Sequence, residues 1–181
     1  MQVLHEGQKR GIFVSLPFPI PSAPSMSPLF LDDLAPGQRF TTPGVTLTEA
    51  EIIDFAWRYD PQPFHLDVNA AAESPYGGLI ASGFQSLALA FRLFIQSGIF
   101  SRSSIGSPGI DELRWIKPVR PGDRLRARVC VIEARRSQSK PDRGIVRVRQ
   151  EVINQEGDTV MSVTSMGMYK CRSSSSEGDQ G

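Results

Sequence analysis

The stretch Phe84-Gln85-Ser86-Leu87-Ala88-Leu89-Ala90-Phe91-Arg92-Leu93-Phe94-Ile95-Gln96 decides the fold. Its apolar residues follow one another with almost no polar interruption, so a helix built from it is apolar on nearly all sides. Such a helix is normally buried on all sides. At roughly three and a half turns it is too short to span a bilayer. The rest of the chain is therefore expected to wrap it.

The C-terminal half supplies the wrapping. Arg124 to Ala134 alternates Leu125, Ala127, Val129 and Val131 with Arg124, Arg126 and Arg128, the period of a sheet with one buried face. Ile145 to Ile153 sets Val146, Val148 and Val152 against Arg147, Arg149 and Glu151. Thr159 to Tyr169 reads as a third strand, reached through Asn154 to Asp158, a loop whose Gly157 suits a hairpin. Ile110 to Ile116 reads as a fourth, ended by Pro118 and Pro121-Gly122, with Ile99 to Pro108 as a loop before it. One buried helix followed by an antiparallel meander is an α+β layout in which the sheet curls around the helix.

On the N-terminal side, Thr48-Glu49-Ala50-Glu51 is a capping box, in which the Thr48 hydroxyl and Glu51 carboxylate satisfy free backbone N–H groups. Ile52, Phe55, Ala56 and Tyr59 then recur at helical spacing. Pro61 disfavours the helical conformation at Asp60, so this helix should stop near Tyr59. A short strand at Arg39 to Thr42 precedes it, between Pro36-Gly37 and Pro43-Gly44. Asp60 to Gly83 reads as a long structured connection with one helical turn near Asn69 to Glu73.

The 181 residues suit a single domain, which at this length buries enough surface to fold without staples. A net charge of +1 gives no electrostatic case for nucleic acid or an anionic membrane as partner. Cys130 and Cys171 form no CxxC pair and stand far from either histidine, so neither a disulfide framework nor a metal site is expected. Residues 1–27 are rich in Pro and Ser. Lys9-Arg10 before Gly11 to Leu16 faintly imitates a signal peptide, but Pro17, Pro19, Pro21 and Pro24 interrupt it. This segment is expected to be a disordered leader, or an over-extended start with Met26 as the true initiator. The folded domain is expected at 28–170, with a disordered tail at 171–181, and the protein is expected to be cytoplasmic.

The most unusual stretch is Tyr59-Asp60-Pro61-Gln62-Pro63-Phe64-His65-Leu66-Asp67. Two prolines stiffen the backbone and can hold Asp60 and His65 in a fixed relation without regular structure. Imidazole titrates near neutrality, and a carboxylate beside it can orient it, which suits the handling of a water molecule. Downstream, Tyr76-Gly77-Gly78-Leu79-Ile80-Ala81-Ser82-Gly83 leads into the apolar helix. Gly83 allows a ligand close to the backbone, and free N–H groups at a helix start can receive developing negative charge. Ordinary readings exist beside these: His65 as a turn residue, Ser82 as an N-cap, Gly83 as a packing glycine, Asp67 and Asn69 as capping or turn residues. Lys117, Arg120, Arg124, Arg135, Arg136, Lys140 and Arg143 could contact nucleotide phosphates, but they read first as a solvated face.

Together these residues resemble the MaoC-like dehydratases and R-specific enoyl-CoA hydratases over roughly Phe30 to Tyr169. The family's hydratase motif, an Asp separated from a His by four intervening residues, is matched by Asp60-Pro61-Gln62-Pro63-Phe64-His65. Its Ala-His/Ser-Gly is matched by Ala81-Ser82-Gly83, and its Lys-Pro-Val-x-Pro-Gly-Asp by Lys117 to Asp123. The chain departs in having Gln62-Pro63 where many members have Asn-Pro.

The resemblance implies a hot-dog fold, with an antiparallel sheet wrapped around the apolar helix, and a homodimer whose sheets join edge to edge. It implies hydration of a trans-2-enoyl-CoA to an (R)-3-hydroxyacyl-CoA, or the reverse, with Asp60 and His65 as catalytic residues. Gly83 and Ser82 are then the oxyanion and substrate-binding residues, and no cofactor or metal is needed. Phe91, Leu93, Phe94 and the loop Ile99 to Pro108 are expected to set the pocket depth. Two rivals share the fold: an acyl-CoA thioesterase, which attacks the carbonyl carbon instead of the β-carbon, and a non-catalytic acyl-CoA-binding partner subunit.

Overall fold

The computed structural model describes residues 28–100 and 102–172. The expected leader and residues 173–181 of the expected tail lie outside them. Helices α1 (Glu49–Tyr59), α2 (Pro63–Leu66), α3 (Val68–Glu73) and α4 (Gly83–Gln96) precede most of the sheet. The strands are β1 (Arg39–Thr41), β2 (Val45–Thr46), β3 (Ser104–Trp115), β4 (Arg124–Arg136), β5 (Arg143–Ile153) and β6 (Thr159–Lys170).

The sheet is antiparallel throughout, in the order β1-β4-β5-β6-β3, with β2 also pairing with β4. Along β4 and β5 the expected alternation holds. Leu125, Ala127, Val129 and Val131 are buried, as are Val146, Val148 and Val152, and these side chains face α4 and the loops around it. They divide between two contiguous clusters. One joins Ile52, Leu89, Leu93, Leu125, Val152 and Met161; the other joins Leu31, Phe94, Phe100, Val131, Val148 and Tyr169.

α4 is apolar nearly all round, but it is not buried all round. Gln85, Ser86, Leu89, Ala90, Leu93 and Phe94 are buried, while Phe84 is 59% exposed, Phe91 55% and Ile95 50%. Ala88 is exposed as well. Positions 84, 88, 91 and 95 share one helix face. Among the described residues one sheet covers one side of the helix, and no second layer covers the other.

β3 also departs from the expected pattern, because it begins at Ser104 and takes in the second half of the segment read as a loop. Its register against β6 shifts between Ser104 and Gly106, between Gly106 and Gly109, and between Asp111 and Arg114. Gly106, Pro108 and Gly109 read as punctuation in sequence. At the edge of a sheet, bulges and a proline are tolerated because half of the backbone groups need no strand partner. Glu112 sits in the last bulge at φ 52°.

α1 begins and ends as its sequence dictates. The Thr48 side chain accepts from the Glu51 N–H, the Glu51 carboxylate accepts from the Thr48 N–H, and Tyr59 is the last helical residue before Asp60 and Pro61. Packing continues past the expected boundary at residue 170. Cys171 is buried and donates its N–H to the Asp142 carbonyl, and Arg172 pairs with Asp33 at 2.6 Å. No helix among the described residues is long and apolar enough to cross a membrane.

Candidate active site

Asp60 occupies the C-cap of α1, with its N–H still bonded to the Ala56 carbonyl and its backbone turned out of the helix at φ −152°. Pro61 forces that exit. Pro63 then starts α2, where a missing N–H costs nothing, so the segment read as irregular contains a helical turn. That turn carries His65, whose N–H bonds back to the Gln62 carbonyl. The chain thus makes two tight changes of direction in five residues, and they bring the two side chains together.

His65 Nε2 lies 3.4 Å from Asp60 Oδ2, with the imidazole buried and the carboxylate mostly so. The other ring nitrogen, Nδ1, stands 2.7 Å from the Ile80 carbonyl oxygen. A carbonyl can only accept, so this contact places a proton on Nδ1 and leaves the Nε2 lone pair of the neutral ring facing Asp60 and the cavity. The backbone N–H of Ile80 returns a bond to the Phe64 carbonyl, and Ala81 bonds to Val119, which ties the histidine turn to the segment before α4 and to the sheet.

Asp60 is held from both sides. Ser82 donates its hydroxyl to Oδ2 at 2.6 Å, and Gln62 donates its amide to Oδ1 at 2.8 Å. Burial works against the Asp60 charge, but the bonds from Ser82 and Gln62, joined by His65 when its ring is protonated, outweigh it and hold the carboxyl below its ordinary value. Gln62, noted in sequence only as a departure from the common Asn, has a direct task here. Its longer side chain reaches back across Pro61 to the carboxylate.

Ser82 is fully buried and uses the same oxygen twice, accepting from the Phe84 N–H as the N-cap of α4 while donating to Asp60. It joins the carboxylate to the helix start and stands behind Asp60. Gly83 opens α4 with a backbone N–H that has no partner within the helix. The close approach that this glycine permits is taken by the indole of Trp115 from β3: a Cβ on Gly83 would stand 2.5 Å from both Cε2 and Nε1.

These residues line a cavity of about 440 Å³ together with Phe64, Tyr76, Phe84, Ile116, Lys117, Pro118 and Val160. All four residues expected at the site therefore meet, Ser82 by way of its bond to Asp60. The pocket depth is not set in this chain by the residues expected for it. Phe91 is on the exposed stripe of α4, Leu93 and Phe94 are core, and the second half of the expected loop is strand. Gln62, the Ile80 carbonyl and Trp115 were missed. A main-chain oxygen leaves no trace in a sequence, whereas an aromatic residue two positions before Lys117-Pro118-Val119 was a usable sign.

A helix backed by one curled antiparallel sheet, with a carboxylate and an imidazole at its N-terminal end, defines a hot-dog-fold protein with a site for acid–base chemistry. Residues 33–169 match the MaoC like domain, and the chain belongs to that family. It is 42% identical to the MaoC-like dehydratase from Rhodospirillum rubrum, covering 80% of this chain and 98% of that one with a TM-score of 0.75. The unliganded R-hydratase PhaJ1 from Pseudomonas aeruginosa superposes with a TM-score of 0.64 at 26% identity, over 79% of this chain and 86% of that one. The uncharacterized protein YdeM of Bacillus subtilis (strain 168) is 33% identical over 126 residues, 70% of this chain and 88% of its own length. Protein MaoC of Klebsiella aerogenes is 37% identical over 101 residues, 55% of this chain and 30% of its own length.

Proposed function

We propose that this protein is a hydratase or dehydratase that adds water to, or removes it from, the 2,3 double bond of an enoyl-CoA, interconverting trans-2-enoyl-CoA and (R)-3-hydroxyacyl-CoA. The observation that carries this reading is the Asp60–His65 pair, 3.4 Å apart at a cavity that also holds the first turn of α4. Membership of the MaoC-like family supports it, as does the likeness to an R-hydratase.

In this reading one water sits between Asp60 and His65. The Nε2 lone pair of His65 takes a proton from it, while Asp60, kept ionised by Ser82 and Gln62, accepts the second hydrogen and aims the oxygen. The water oxygen bonds to the β-carbon, and the electron pair of the double bond moves through the α-carbon towards the thioester oxygen. The Gly83 N–H at the positive end of α4 stabilises the resulting enolate. His65 then returns its proton to the α-carbon. Dehydration runs the same steps backwards.

The reading includes a homodimer. The exposed stripe Phe84, Phe91 and Ile95 on α4, with Ile110, Trp115 and Ile116 along and just beyond the edge strand β3, leaves apolar surface beside an open row of backbone groups. A second copy would cover both.

The test is hydration of crotonyl-CoA, followed by loss of enoyl absorbance, with Asp60→Asn and His65→Gln beside the wild type. Each variant should lose about a thousandfold in kcat while keeping its circular dichroism spectrum. Folded wild-type protein that hydrates no short, medium or branched enoyl-CoA would overturn the reading. Release of free CoA thiol from a saturated acyl-CoA would replace it with a thioesterase.

A further inference from the structure

We infer that Trp115 supplies a second N–H, from its indole Nε1, to the same thioester oxygen that accepts the Gly83 N–H. This assignment rests on the hydratase reading above.

At the start of α4 the Phe84 N–H is already spent on the Ser82 hydroxyl, at 3.2 Å. The Gly83 N–H, with no partner within the helix and in a residue that lines the cavity with Asp60 and His65, is left for a charge forming there. Oxyanion sites in acyl chemistry commonly use two donors on one oxygen. The second donor need not come from the helix. Trp115, at the C-terminal end of β3, brings its ring directly onto Gly83, and Nε1 lies 2.5 Å from where a Cβ on that glycine would stand.

Covalent geometry places that Cβ position roughly 2.5 Å from the Gly83 nitrogen. The two nitrogens are then no more than about 5 Å apart, which is the separation of two donors that share one acceptor through ordinary N–H···O bonds. Trp115 and Gly83 both line the cavity, so the indole stands beside the space an incoming acceptor would occupy. The ring is steadied from the side by Phe84, whose own ring meets it edge to face at 5.6 Å and 69°. In a cavity closed by substrate, a neutral indole donor stabilises an enolate oxygen without adding a charge that must be desolvated beforehand.

This accounts for the glycine as well. Any side chain at residue 83 would push the indole away from the amide, so the two donors are kept together by the absence of a Cβ.

Two measurements test the assignment. Trp115→Phe keeps an aromatic ring and removes the N–H; kcat for crotonyl-CoA hydration should fall on the order of 10- to 100-fold with KM changed by less than about threefold. Independently, the wild-type protein labelled with 15N has two indole N–H resonances, from Trp57 and Trp115, which Trp57→Phe assigns. Saturating butyryl-CoA should move the Trp115 resonance downfield, and free CoA should not.

A Trp115→Phe enzyme within twofold of the wild-type kcat overturns the proposal, and so does a fall in kcat with no downfield shift, which would make the ring a wall only. If the wild type hydrates no enoyl-CoA, the hydratase reading fails by itself. The resonance then still decides whether the indole donates to a thioester.

Discussion

Asp60 is a carboxylate with every reason to stay one. Ser82 and Gln62 each donate to a different oxygen, and the imidazole of His65 stands beside it. Its carboxyl is therefore held below the ordinary value, so the ionised form persists well into acid and is lost only as pH falls through that lowered value. Gln62→Leu removes one donor and moves the Asp60 titration upwards. The expected result is a 13C carboxyl resonance of Asp60 that titrates at higher pH than in wild type, with activity above neutrality reduced much less. An Asp60 resonance that titrates where the wild type does would show that Gln62 does not act through the carboxylate. His65 is the complementary case, because one ring nitrogen is committed to the Ile80 carbonyl and the other is aimed at the reaction space.

At the scale of elements, the site depends on where α1 stops, where α4 starts and how the edge strand turns over them. The sheet that supports them tolerates little change at its tightest crossing. Gly144, in β5, pairs with Arg136 of β4, and a Cβ there would run into the Arg135 carbonyl and stand 2.6 Å from the Leu31 side chain. Gly144→Ala is expected to cost about 1 to 3 kcal/mol by overpacking, a fall in Tm of roughly 3 to 10 °C. Gly109→Ala in β3 is the control, since open space surrounds its Cβ position and its φ is not in the left-handed region. Equal melting temperatures for the two variants would refute this account of β4–β5 packing. The same element view explains why β3 was under-read. Its glycines, proline and bulges belong to an edge, and edge status is a property of the sheet order.

At the scale of the whole molecule, the described residues leave α4 half-covered and β3 without a strand partner on its outer side. If a second copy closes this surface, sedimentation of the wild type at micromolar concentration should give twice the chain mass. Phe91→Glu combined with Ile110→Lys should then give the monomer and a Tm that no longer depends on concentration. Wild-type protein that sediments as a monomer would remove the dimer from the proposal. Neither substituted residue lines the cavity.

How much of this could be read beforehand follows from the range of the forces involved. The α+β layout, the capping box at Thr48, the stop at Tyr59, the alternation in β4 and β5 and the place of β6 were legible, because local sterics and the period of apolar residues set them within a few residues. Asp60, His65, Ser82 and Gly83 were legible as candidates for the same reason: chemistry-bearing groups stand next to prolines and at a helix start. The exposed stripe of α4, the length of β3, the Gln62 bond to Asp60, the Ile80 carbonyl on His65 and the indole against Gly83 were decided by tertiary structure. The helix's apolar pattern says that every side will be covered, but not by which chain. Of these contacts, the His65–Ile80 pairing and the Trp115 approach to Gly83 join residues 15 or more apart, and their geometry exists only once the sheet has closed over α4.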